Sequence, residues 1–114
     1  MSAYLPLLNK RAVVTGGSRG IGAAIVRKLA EQGALVVFTY SASPDAAQVL
    51  VRDIVVAGGR ASALHADSAD PAGLQVAIRQ AVERLGGLDI LVNNAGTLVH
   101  ALINDFTQTD STAP

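Results

Sequence analysis

The chain has no cysteine, no excess of either charge and no long apolar run, and each absence removes a class of function. Without cysteine there can be no disulfide and no thiolate metal site, which fits a reducing compartment. Nine basic and nine acidic residues give a formal net charge of zero. They are dispersed, and no basic stripe, polybasic tail or acidic run points to nucleic acid or an anionic membrane as partner. The longest apolar run, Ala34-Leu35-Val36-Val37-Phe38, is far too short to span a bilayer. Met1 to Leu8 lacks the charged start and extended apolar stretch of a signal peptide, so a cytoplasmic location is expected. What remains is a chain of 114 residues, 50% apolar, which suffices for one domain with a small core.

Strand and helix signals alternate along it without a linker or repeat. Arg11-Ala12-Val13-Val14-Thr15 is a short apolar run ending in glycines, as in a buried parallel strand. From Gly20 to Gln32 the residues Ile21, Ala24, Ile25, Lys28 and Leu29 recur at helical spacing, and Gly33 closes the helix. Leu35 to Thr39 follows as a second strand. Ser43-Pro44-Asp45 reads as a cap, a proline in the first turn and an acid beside the positive helix end. Ala47, Leu50, Ile54 and Ala57 form the inward face of that helix, which ends at Gly58-Gly59. Ala61 to Ala66 is a third strand, and Asp70-Pro71 opens a helix whose inner face is Leu74, Ile78, Ala81 and Leu85. After Gly86-Gly87, Leu88 to Val92 is the fourth strand. Strands and helices in this alternation imply an α/β fold, a doubly wound parallel sheet in the order 3-2-1-4. Signals weaken after Gly96, and 107–114 reads as a frayed tail.

Two segments carry chemistry. Thr15-Gly16-Gly17-Ser18-Arg19-Gly20-Ile21-Gly22 joins the first strand to the first helix. Lacking Cβ atoms, such a turn lets backbone approach a pyrophosphate closely, while the helix start offers free N–H groups and a positive dipole end. A turn made glycine-rich only for tight packing is the competing reading, and for this segment alone it stays open. Asn93-Asn94-Ala95-Gly96 leaves the fourth strand beside the first, where doubly wound sheets bind ligands. A plain Asn turn is its alternative.

The two segments together resemble the T-G-x-x-x-G-[IL]-G and N-N-A-G motifs of short-chain dehydrogenases/reductases. The nearest type is the bacterial 3-oxoacyl-carrier-protein reductase. The resemblance covers about residues 8–106 and implies a partial, truncated Rossmann-type NAD(P)-binding domain over 1–114. It assigns cofactor contacts to Gly16, Gly17, Ser18, Arg19, Gly20, Ile21 and Gly22, and to Asn94, Ala95 and Gly96, with Asn93 serving the sheet. Asp67 and Ser68, after the third strand, are implied for adenine, although Asp67 reads equally as a turn residue.

Cofactor choice follows from a missing acid. NAD binders place a carboxylate at the end of the second strand, where it bonds the ribose 2′-hydroxyl. Here Thr39-Tyr40-Ser41-Ala42-Ser43 holds none before Asp45. Ser41 can bond a 2′-phosphate and Arg19 can pair with it, so NADP is expected over NAD. The family's chemistry also needs a Tyr-x-x-x-Lys pair. Tyr4 and Tyr40 are followed four residues on by Leu8 and Pro44, and the only lysines are Lys10 and Lys28. His65 and His100 show no ligand spacing, and Ser2, Ser62 and Ser111 have no His–acid neighbours. Two functions stay open: the NADP(H)-binding half of a short-chain oxidoreductase, not competent alone, or a non-catalytic nucleotide-binding or interaction module. In either case a fourth strand with a bare far edge, guarded only by Asp89, is expected to self-associate or aggregate.

Overall fold

The computed structural model describes residues 4–94; Ala95, Gly96, His100 and the tail expected over 107–114 lie outside the described residues. The elements are β1 (Arg11–Thr15), α1 (Gly20–Glu31), β2 (Leu35–Tyr40), α2 (Pro44–Val56), β3 (Arg60–His65), α3 (Pro71–Leu85) and β4 (Ile90–Asn93). The four strands form one parallel sheet in the order β3-β2-β1-β4. The fold is Rossmann-like, as expected. Because every strand runs the same way, all of the strand-to-helix turns gather at the carboxyl end of the sheet.

The apolar strand runs form because both faces of the sheet are covered. Ala12, Val13, Val14 and Phe38 are fully buried. Even-numbered positions Ala12, Val14, Val36 and Phe38 pack under α1 and α2 with Val26, Ala30, Leu50 and Ile54. Val13 and Val37 point the other way, onto Leu74, Ala77, Ile78 and Ala81 of α3. The period of two along each strand is thus matched by a helix layer on either side.

The helix ends follow their local chemistry. Asp70 caps α3 by accepting the Gly73 amide, and Gly86 ends it in the left-handed region with φ 81°. Ser43 precedes Pro44 at the start of α2 but makes no side-chain cap bond. The expected inward face of α2 needs one correction, and the helical spacing noted in α1 does not mark its buried face. Ile21 is 73% exposed, and Ala24 and Lys28 are exposed with it; α1 buries Gly22, Val26 and Ala30, with Ile25 and Leu29 only half-buried. Gly22 faces the sheet because α1 starts too close to β1 for any side chain there. Ala57 is exposed because α2 ends at Val56 and leaves it as the capping residue.

Asp89 also does something other than guard an edge. Strand β4 starts at Ile90, and Asp89 lies just before it, turned toward Arg11 of β1. The guanidinium spans both carboxylate oxygens, at 2.9 Å and 3.2 Å, and the Arg11 amide donates to the same carboxylate at 2.8 Å. Arg11 Nη1 reaches the Gly86 carbonyl at 2.9 Å, so this group ties β1, the end of α3 and the approach to β4 together.

The Arg11 hydrogen bonds hold the Asp89 carboxyl down at about 2, from an ordinary 3.8. A carboxylate held low stabilises the folded chain above its unfolded pKa and loses that contribution as pH falls through the folded one. Asp89→Asn is therefore expected to lower stability at neutral pH, with the gap from the parent chain closing between about pH 4 and pH 2. Urea denaturation across that range measures it; a gap independent of pH would contradict the assignment.

Candidate cofactor site at the carboxyl end of the sheet

The glycine turn leaves β1 and is held from both neighbouring strands. From β2, Thr39 Oγ1 accepts the Gly16 amide at 2.9 Å, and the Thr39 carbonyl accepts the Gly17 amide at 2.9 Å. From the end of β4, the Asn94 side-chain amide donates to the Gly16 carbonyl at 2.9 Å. Beside it Thr15 Oγ1 donates to Asn93 Oδ1 at 3.1 Å, which supports the expectation that Asn93 serves the sheet. Both threonines are buried, so these bonds also satisfy polar groups that would otherwise be costly inside the core.

The spacing of the glycines answers to space. A Cβ on Gly22 would collide with the Gly16 carbonyl oxygen and lie 2.7 Å from Asn94 Nδ2. Only a residue without a side chain lets the first turn of α1 sit against the backbone it leaves. A Cβ on Gly17 would lie 2.7 Å from Phe38 Cβ and 2.8 Å from Val26 Cγ2. Gly16 itself, at φ 70°, makes the left-handed bend that reverses the chain.

This turn delivers the start of α1 to the surface with its polar groups uncommitted. The first-turn amides of any helix have no partner within it. Here no acid stands in the first turn to neutralise them, and Arg19, the extended N-cap residue, makes no side-chain cap bond. Arg19, Gly20 and Ile21 are exposed, and Ser18 is half-buried. Open amides, a positive dipole end and a guanidinium with no acid between them suit an anionic group.

The other candidates surround the turn. Ser41 follows β2, Asp67 and Ser68 follow β3, and Asn94 follows β4, so parallel pairing brings all of them to the same end as Gly16–Gly22. Asp67 Oδ1 accepts the Ala69 amide at 2.9 Å, so its turn role is present whatever else it binds. Asn94 gives one of its two amide hydrogens to Gly16, so its side chain braces the cradle. The sequence reading missed Thr39, whose signal was available: a polar β-branched residue inside an apolar strand needs a nearby donor. Among the described residues no group of His, Asp and Glu is placed to hold a metal ion, and no helix is long and apolar enough to cross a membrane. A cavity of about 690 Å³ opens at the opposite, amino end of the sheet, between Leu8, Ala34, Ile54 and Arg60; none of the glycine-turn residues lines it.

A parallel 3-2-1-4 sheet with a glycine turn entering a helix at its carboxyl end is the class of the nucleotide-binding α/β proteins. Comparison narrows the class. The family model described as short chain dehydrogenase matches residues 10–113. The chain belongs to the short-chain dehydrogenase/reductase family.

The 3-oxoacyl-[acyl-carrier-protein] reductase FabG of Staphylococcus aureus is 42% identical over 78% of this chain and 36% of its own length. The short-chain dehydrogenase/reductase homolog YusS of Bacillus subtilis is 43% identical over 88% of this chain and 92% of its own length. The crystal structure of a short chain dehydrogenase from Burkholderia cenocepacia in complex with NADP superposes with a TM-score of 0.75 at 47% identity, covering 94% of this chain and 47% of that one. The chain spans 39% and 41% of the length of two further curated relatives.

Gly22→Ala tests the close approach. It is expected to destabilise the chain by about 1–3 kcal/mol, the usual cost of forcing a methyl into filled space. Chemical denaturation measures this, and an unchanged midpoint would show that the helix start can move away at no cost.

Proposed function

We propose that this chain is the NADP(H)-binding half of a short-chain oxidoreductase and that it does not catalyse hydride transfer by itself. The observation that carries the reading is the glycine turn: two strands hold it open, and it presents an acid-free helix start beside Arg19. Gly16, Gly17, Ser18, Gly20, Ile21 and Gly22 would hold the pyrophosphate. Asp67 and Ser68 would take the adenine side, and Asn94, Ala95 and Gly96 the adjoining ribose. The NADP-bound Burkholderia relative supports a dinucleotide in this family's site.

The preference for NADP(H) rests on charge. At the end of β2, Ser41 stands where an NAD-specific carboxylate would, and the next acid is Asp45 in the first turn of α2. A 2′-phosphate therefore meets a hydroxyl and Arg19 without a repelling acid. When bound, the nicotinamide supplies hydride chemistry; this chain's residues supply the seat. They do not supply the family's proton donor, since no Tyr-x-x-x-Lys occurs in the 114 residues and Tyr40 packs edge-on against His65 at 5.3 Å. A cytoplasmic location goes with this reading.

A second reading is favoured by one finding. YusS is matched over nearly its whole length by a chain of this size, so a self-standing nucleotide-binding module is also consistent. Either reading leaves β4 at an edge of the described sheet, with Ile90, Leu91 and Val92 only half-buried. Asp89, drawn to Arg11, does not shield them. Pairing of two copies through this edge accounts for how such a strand is covered. Leu91→Lys would then shift sedimentation toward the monomer, whereas a parent chain that stays monomeric at all concentrations would sink the pairing.

Cofactor choice has its own test. Calorimetric titration is expected to show tighter binding of NADPH than NADH. Arg19→Ala should weaken NADPH by about 1–3 kcal/mol, as for a lost bond to a charged group, and leave NADH nearly unchanged. Equal or better binding of NADH by the parent chain would overturn the assignment.

A further inference from the structure

His65 is the last residue of β3 and the register partner of Tyr40, the last residue of β2. In a parallel pair, partners point to the same face, and the two rings meet edge to face with centroids 5.3 Å apart and planes at 70°. The final rung between the strands is the Ala66 amide donating to the Tyr40 carbonyl at 2.9 Å. Past this rung the chain leaves β2 through Ser41, Ala42 and Ser43 and enters α2 at Pro44.

At its far end this connection joins α2 through the Ser43 carbonyl, which accepts the Ala47 amide at 3.1 Å. Pro44 has no N–H to give, and the Ser43 side chain caps nothing. The tie at its near end crosses from the neighbouring strand: His65 Nε2 lies 3.1 Å from the Ser41 carbonyl oxygen. A carbonyl only accepts, so Nε2 carries the proton, and the ring is committed as a donor to this one backbone atom. Holding that carbonyl fixes the peptide plane after Ser41, and so the backbone from which the Ser41 hydroxyl extends. The imidazole is otherwise exposed, at the carboxyl end of the sheet.

We infer that His65 is a positioning residue for cofactor choice, holding the Ser41 backbone in place so that its hydroxyl meets the 2′-phosphate of NADP(H). The inference rests on the proposed cofactor reading and adds to it a residue outside the glycine turn. Its effect is selective by geometry. The pyrophosphate sits on the glycine turn, which Thr39 and Asn94 brace independently of His65. Only the 2′-substituent comes to the end of β2. Loosening Ser41 therefore costs NADPH its extra partner and costs NADH little.

The experiment is titration of the full chain with NADPH and with NADH for the parent, His65→Ala, His65→Gln, Ser41→Ala and the double variant His65→Ala/Ser41→Ala. Thermal melting of each identifies any variant that has lost its fold. The Gln amide replaces the Nε2–H donor at similar reach. His65→Ala is expected to weaken NADPH about three- to tenfold, the scale of one lost neutral hydrogen bond, while NADH changes less than twofold. His65→Gln should restore most of the NADPH affinity, and the double variant should bind NADPH no worse than Ser41→Ala. Equal weakening of both cofactors, failure of Gln to rescue, or additive losses in the double variant would each overturn the role. NADPH preference that survives His65→Ala unchanged defeats this inference alone; no binding of either cofactor by the folded parent defeats the cofactor reading and this inference with it.

Discussion

The constraint on which the rest depends is the contact between Gly22 and the Gly16 carbonyl. A helix that must begin against the end of the strand it left has no room there for a side chain, and Gly22 leaves that room. The same carbonyl accepts the Asn94 amide, so one backbone oxygen joins the first turn to the end of β4. Thr39 completes the frame from β2. The turn is therefore shaped before any ligand arrives, which reduces the ordering cost that binding must otherwise meet.

The two ends of the sheet are organised differently. At the amino end, Arg11 and Asp89 exchange both side-chain and backbone hydrogen bonds and set the alignment of β1 with β4. At the carboxyl end, the ties are neutral hydrogen bonds: Thr15 and Asn94 donate, and Thr39 accepts the Gly16 amide. This separation matters electrically. A fixed carboxylate next to the glycine turn would oppose an anionic ligand, and the carboxylate that aligns the strands sits at the far end instead. Between the two ends, the strand residues are divided by alternation between α1 with α2 on one face and α3 on the other.

Much of this was legible in the chain. Short apolar runs marked the strands, the first of them ending in glycines, and Ser43-Pro44, Asp70-Pro71 and Gly86-Gly87 marked helix ends to within a residue or two. Alternation and right-handed crossovers then led to the observed strand order. The buried face of α1 was not legible, because it runs through Gly22, which apolar periodicity passes over. Asp89 was misread for a related reason: its partner Arg11 is 78 positions away, and nothing local announces the pair. His65 showed only the absence of ligand spacing, because its meaning depends on which backbone atom stands opposite, and that is a property of register. The glycine turn was readable because its chemistry is local, one strand end and one helix start joined by residues that must lack side chains.

The account's central claim is that the pre-shaped turn, and not another part of the surface, receives a dinucleotide. Amide chemical-shift mapping on the labelled chain during NADPH addition tests this directly. The largest shifts are expected at Gly16 to Gly22, with smaller ones at Ser41, Asp67, Ser68 and Asn94, all at the carboxyl end of the sheet. Shifts centred on Leu8, Ala34, Ile54 and Arg60, around the cavity at the amino end, would contradict it.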